Sequence, residues 1–251
     1  MFLSTIDEIP ITSWALAALA VFLMGLSKAG LKGLSVFNVT LMALAFGSRA
    51  STGMFIPLLI VGDIFAVINY NRHTQWKYII KLLPWMILGI LLGVLIGKDL
   101  PEGEFKWVMV VTILFSLLLL FWWDRRKSEA VPSHWAFAGS VGTMAGLCTM
   151  IGNLAGALTN IFFLAMRLPK NEFVGTLAWL FFITNLFKLP FHIFVWKTVS
   201  PQSLAIDLWL VPILFLGLFL GMYLVKKINE RNFKRFILIM TAIGALAILF
   251  R

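Results

Sequence analysis

Cysteine occurs once, at Cys148, and histidine three times, so no intramolecular disulfide can form and no Cys/His metal-site spacing is present. Acidic residues are scarce too: 11 Asp and Glu stand against 21 Lys and Arg, a formal net charge of +10. Charged residues make up 13% of the chain and hydrophobic ones 61%, against about 25% and 45–50% in soluble domains, which excludes a water-soluble protein. The chain opens without a short apolar run and small-residue cleavage site, so no removable signal peptide is expected. A positive balance of this size can signal nucleic acid, but here Lys and Arg sit in short loops between apolar segments, where they set membrane orientation instead. No cofactor, metal or nucleic-acid partner is expected.

What is present is length and apolarity enough for repeated membrane crossings, each needing about 20 residues. Spans are predicted at Met54–Tyr70, Tyr78–Gly97, Lys106–Trp123, Phe173–Trp196, Leu204–Val225 and Phe233–Phe250. Two further regions, Trp14–Gly47 and Trp135–Met166, are interrupted near their middles by Gly25-Leu-Ser-Lys-Ala-Gly30-Leu-Lys-Gly33 and Gly146-Leu-Cys-Thr-Met-Ile-Gly152-Asn153. Each is read as a hairpin of two helices too short for a full span. With the N-terminus outside, Arg72, Lys77, Lys81, Arg125–Lys127, Arg167, Lys170 and the Lys226–Arg235 cluster lie inside, against Arg49, Lys98, Lys106, Lys197 and Arg251 outside. That is the bias of the positive-inside rule, and a plain eight-helix topology breaks it. Trp76, Trp85, Trp107, Trp122, Trp123, Trp135, Trp196 and Trp209 fall near span ends, as interfacial anchors do.

The chain matches itself. At an offset of 122, Gly30, Asn38, Ala43 and Gly53 face Gly152, Asn160, Ala165 and Gly175, Ser27 faces Thr149, and Asp63 faces Asn185. At an offset of 128, Pro84, Gly89, Gly93, Lys98, Phe105 and Lys106 face Pro212, Gly217, Gly221, Lys226, Phe233 and Lys234. Each half then holds an odd number of helical pieces, which turns the second copy upside down, the inverted-repeat plan of many secondary transporters. The predicted fold is an all-α polytopic membrane protein with inverted repeats at residues 12–124 and 133–251, each a short broken-helix hairpin followed by three transmembrane helices.

A helix broken at membrane depth must bury its freed backbone groups in protein or line a wet cavity with them. The half-helix after the break begins with unpaired N–H groups and a positive dipole end, which suits an anion. The first break brings Ser27, Lys28, Gly30, Lys32 and Asn38 to that place, and the second Thr149, Gly152, Asn153 and Asn160. Against this, Lys28 and Lys32 could snorkel to headgroups from a hairpin tip. Asp63, read as the lone carboxylate within a span, needs a partner such as Lys28 or Lys188, or carries a proton coupled to transport; capping a broken helix is the structural alternative. Asn185, Lys188 and His192 share one helical face, which points inward unless Lys188 and His192 snorkel at the outer end. Pro190 is expected to kink that helix.

The two glycine-rich breaks, the segment from Gly53 to Asp63 and Leu-Leu-Pro84-x4-Gly89-x3-Gly93 together resemble the sulfite exporter TauE/SafE family of bacterial membrane transporters, over nearly the whole chain. The resemblance implies movement of sulfite, a sulfonate or another organosulfur acid across the cytoplasmic (inner) membrane, driven by an ion gradient. It also implies a substrate site at Ser27, Lys28, Gly30, Thr149, Gly152 and Asn153. The breaks depart from the family's glycine runs, reading Lys-Ala-Gly-Leu-Lys-Gly and Met-Ile-Gly-Asn. The function expected is therefore a secondary transporter of a small anion, working by alternating access as one repeat rocks against the other. Its partners would be that anion, the bilayer, a coupling ion such as a proton, and a second copy in a homodimer. The rival readings are a passive anion channel and a membrane-embedded enzyme.

Overall fold

A computed structural model describes residues 9–31, 34–108, 110–111, 135–229 and 232. Among them there is no strand. The helices are α1 (Ile11–Lys28), α2 (Ser35–Phe46), α3 (Ser48–Tyr70), α4 (Trp76–Gly97), α5 (Trp135–Gly152), α6 (Ala155–Ala165), α7 (Lys170–Pro190) and α8 (Pro201–Lys227). Residues 102–108 are helical as well. The predicted spans Lys106–Trp123 and Phe233–Phe250 lie outside the described residues, apart from 106–108 and 110–111.

Both predicted interruptions are present, but they cut their regions unequally. α1 and α5 have 18 residues each and are themselves long and apolar enough to cross a membrane, whereas α2 and α6 have 12 and 11. With the runs containing α3, α4, α7 and α8, six helices reach span length among the described residues. Their outer faces carry side chains such as Ile68, Leu95, Leu208 and Phe219, all more than half exposed, which water would penalise and lipid does not.

Local chemistry explains the ends. At the first break the Leu31 amide donates to the Leu26 carbonyl and the Gly30 amide to Ser27, with Gly30 at φ 125°, a Schellman termination that glycine accepts without strain. At the second, Asn153 takes the left-handed conformation, φ 56°, a role asparagine tolerates better than most residues. Gly47 opens α3 without a side chain, and the Glu102 carboxylate supplies the missing cap, accepting from the Ser48 amide at 2.6 Å. Ser200 and Ser203 form a reciprocal cap ahead of α8, with Pro201 in its first turn. At Pro190 the chain passes from α7 into a π-helix, Phe191–Val195, and the helix ends there.

The buried side chains fall into two apolar cores. One joins α1, α2, α3 and α8, through Ala17, Val21, Met42, Phe55, Ile206 and Leu214. The other joins α4, α5, α6 and α7, through Ile79, Met86, Ala145, Leu158, Phe162 and Leu177. Each therefore takes one helix from the opposite half of the chain. Glycine makes these cross-half pairings close. A side chain on Gly25 or Gly217 would strike the backbone of the partner helix in the α1–α8 pair, and one on Gly89 or Gly146 would do so in the α4–α5 pair. The two bundles meet along α3 and α7.

Candidate functional site

The contact between bundles forms a partly open cavity of about 50 Å³. α1 contributes Ser27 and Lys28, α2 Ser35 and Asn38, and α3 Phe55; from the other bundle come Thr149, Asn153, Gly156, Asn160, Phe181 and Asn185. Seven of the predicted site residues thus share one space: Ser27, Lys28, Asn38, Thr149, Asn153, Asn160 and Asn185. Asn38 and Asn160, matched at the offset of 122, line it from opposite bundles. α2 and α6 both begin at this cavity, and neither first turn has a side-chain cap. Their starts nearly touch, since a Cβ on Gly156 would stand 2.7 Å from the Ser35 Oγ.

Behind the lining runs a charged network. Lys28 is buried, its Nζ 2.5 Å from the Asp63 Oδ1, and Asn185 donates to the other Asp63 oxygen at 2.6 Å. Asp63 and Asn185, aligned by the repeat, are thus hydrogen-bonded partners across the α3–α7 contact. Lys188 is fully buried; its Nζ donates to the Thr149 carbonyl and hydroxyl, both at 3.0 Å, and to the Asn153 Oδ1 at 2.7 Å. Its Nζ stands at the C-terminal end of α5, where a cation offsets the negative dipole end. Asn153 turns its amide the other way, onto the Thr52 carbonyl at 2.9 Å. Two lysine amines thus stand with one carboxyl in the cluster.

Several expectations change here. Snorkelling is overturned for Lys28, Lys188 and His192: all three are buried, and His192 is held by the Thr198 Oγ1 and the Trp196 ring. Trp196 is no interfacial anchor; it packs on Phe105 and lies where a side chain on Gly97 would stand. Gly30 and Gly152 shape the breaks rather than the cavity wall, Gly30 lying against Val225 and Val174. Lys32 lies outside the described residues. Ser35, Phe55, Gly156 and Phe181 are site residues that the sequence did not mark, although Phe181 lies one turn before Asn185 on the same face. Asp63 is not the lone carboxylate within a span, because Asp207 is buried in α8.

A family model described as Sulfite exporter TauE/SafE matches residues 16–248. No curated protein and no solved structure matches the chain.

Proposed function

The chain belongs to the sulfite exporter TauE/SafE family, a family of membrane transporters, and from that premise we propose that it carries a small sulfur oxyanion, sulfite or a sulfonate, through the cavity between its bundles. One observation carries the reading: two uncapped half-helix starts and Lys28 converge on a single cavity. Free N–H groups and a lysine stabilise an anion and repel a cation. Ser27, Thr149 and the paired amides Asn38 and Asn160 supply neutral hydrogen bonds, and Asp63 holds Lys28 in place until the anion takes over part of its charge.

The duplication of residues 12–124 and 133–251 as inverted repeats belongs to the same proposal. The reciprocal α1–α8 and α4–α5 crossings and the Asp63–Asn185 pair support it. The moving bodies, however, would be the two bundles and not the two sequence halves, because each bundle holds one helix of the opposite half. Hinging along α3 and α7 would open the cavity alternately to either side. We place this multi-pass protein in the bacterial cytoplasmic membrane with its N-terminus outside, in line with the distribution of Lys and Arg.

Proteoliposomes test the reading. Lys28→Ala alone would strand Asp63, at a cost of about 3–5 kcal/mol, and confuse lost folding with lost transport. The paired variant Lys28→Met with Asp63→Asn removes both charges together. Saturable sulfite flux in the wild type that disappears in this variant, with insertion and melting temperature kept, is the expected result. Undiminished flux refutes the role of Lys28; ohmic conductance indicates a channel, and sulfite consumed without translocation an enzyme.

A further inference from the structure

Asp207 lies within an apolar span, and the cavity makes no use of it. It is 3% exposed, and neither carboxyl oxygen has a hydrogen-bond partner among the described residues. Its neighbours on the buried seam of α8, Ile206, Leu210 and Leu214, pack in the core formed with α1, α2 and α3. Those helices bring no counter-charge. α1 has only Lys28, at its far end and on Asp63; α2 has none. α3 has Asp63 and Arg49, whose guanidinium donates to the Leu100 and Lys98 carbonyls, and its Tyr70 donates to Ala29. Within α8 the next ionisable groups are the exposed Tyr223, Lys226 and Lys227, and Lys197 ahead of it is exposed as well.

Packing does not require a carboxyl at this position. At the offset of 128 the corresponding residue of α4 is Ile79, 1% exposed in the other core. An unpaired carboxylate buried in an apolar span is costly to keep charged. A proton removes that charge unaided, whereas a metal ion needs several further oxygen ligands. Asp63 is placed worse for the task, with Lys28 on one oxygen and Asn185 on the other.

We propose that Asp207 carries the coupling proton, holding it while its bundle shuts out water and exchanging it with water when the rocking of that bundle exposes it. The inference rests on the transport reading above. α1 links the two events, because the helix packed along α8 also carries Lys28 into the cavity. The step is one proton per carboxyl: the O–H bond breaks to water on one side, and the acid re-forms from water on the other.

The test uses the full chain in proteoliposomes with radiolabelled sulfite, measured as one-for-one exchange at equal pH and as accumulation driven by a proton gradient. One pH unit can drive about tenfold accumulation per proton. Asp207→Asn, and Asp207→Ile copied from the matching seam, should retain exchange and lose accumulation entirely. Accumulation that keeps its wild-type dependence on pH in either variant overturns the proposal. So does the loss of exchange together with accumulation in well-folded variants, which would place Asp207 in anion binding, and so does wild-type accumulation driven by sodium alone. A wild type that exchanges no sulfite sinks the transport reading itself, and this proposal with it.

Discussion

Lys188 shows how a charge is kept inside a membrane protein. Its three hydrogen bonds all go to the end of α5 and the following turn, so it holds the second break in shape and does not face the cavity directly. Lys188→Met should leave the Asn153 Oδ1 and the Thr149 hydroxyl without their lysine donor, at about 1–3 kcal/mol, read as a lower melting temperature in detergent. An unchanged melt would show that the ammonium holds nothing together. Lys188 and Asn185 were legible because a polar stripe on an apolar helix favours the bundle interior over lipid, with snorkelling the rival for Lys188. Ser35 and Gly156 were not, since small residues in apolar sequence carry no periodic signal. Asp207 stands inside the predicted span Leu204–Val225, but its match at the offset of 128 is isoleucine, so self-similarity gives it no mark beside Asp63 and Asn185.

Among the elements, the breaks were the most readable, because glycine and asparagine announce left-handed turns that few other residues accept. Their asymmetry was not. α1 runs past Gly25 to stop at Lys28, and α5 runs past Gly146 to Gly152, since a glycine inside a helix at a close crossing is a packing device and not a terminator. The short helices after the breaks are the parts that must separate if the cavity is to open. The Ser35 Cβ lies 3.6 Å from where a Cβ on Gly156 would stand, within disulfide range. With the buried Cys148 replaced by Ala, the pair Ser35→Cys and Gly156→Cys should cross-link under oxidation and arrest sulfite flux, and a reductant should restore it. Full flux through the cross-linked protein would show that α2 and α6 stay together during transport.

For the whole molecule, the sequence declares membrane crossings and predicts a duplication but is silent on the exchange of helices between halves. That exchange is a tertiary outcome: the glycine faces of α1 and α4 each need a partner that lets backbones touch, and only the geometry shows α8 and α5 in those places. A chain cut between the two predicted repeats should therefore give halves that fail to accumulate separately and regain sulfite transport when produced together. Stable, folded single halves would contradict the pairing. The same arrangement imposes an order on biosynthesis. α8 emerges long after α1, so the first bundle stays open along one side while most of the polypeptide is still being made, with lipid or the insertion machinery lying against Gly25 until Gly217 arrives. The bundle that starts later, holding α4 already in the bilayer when α5 follows, can close first.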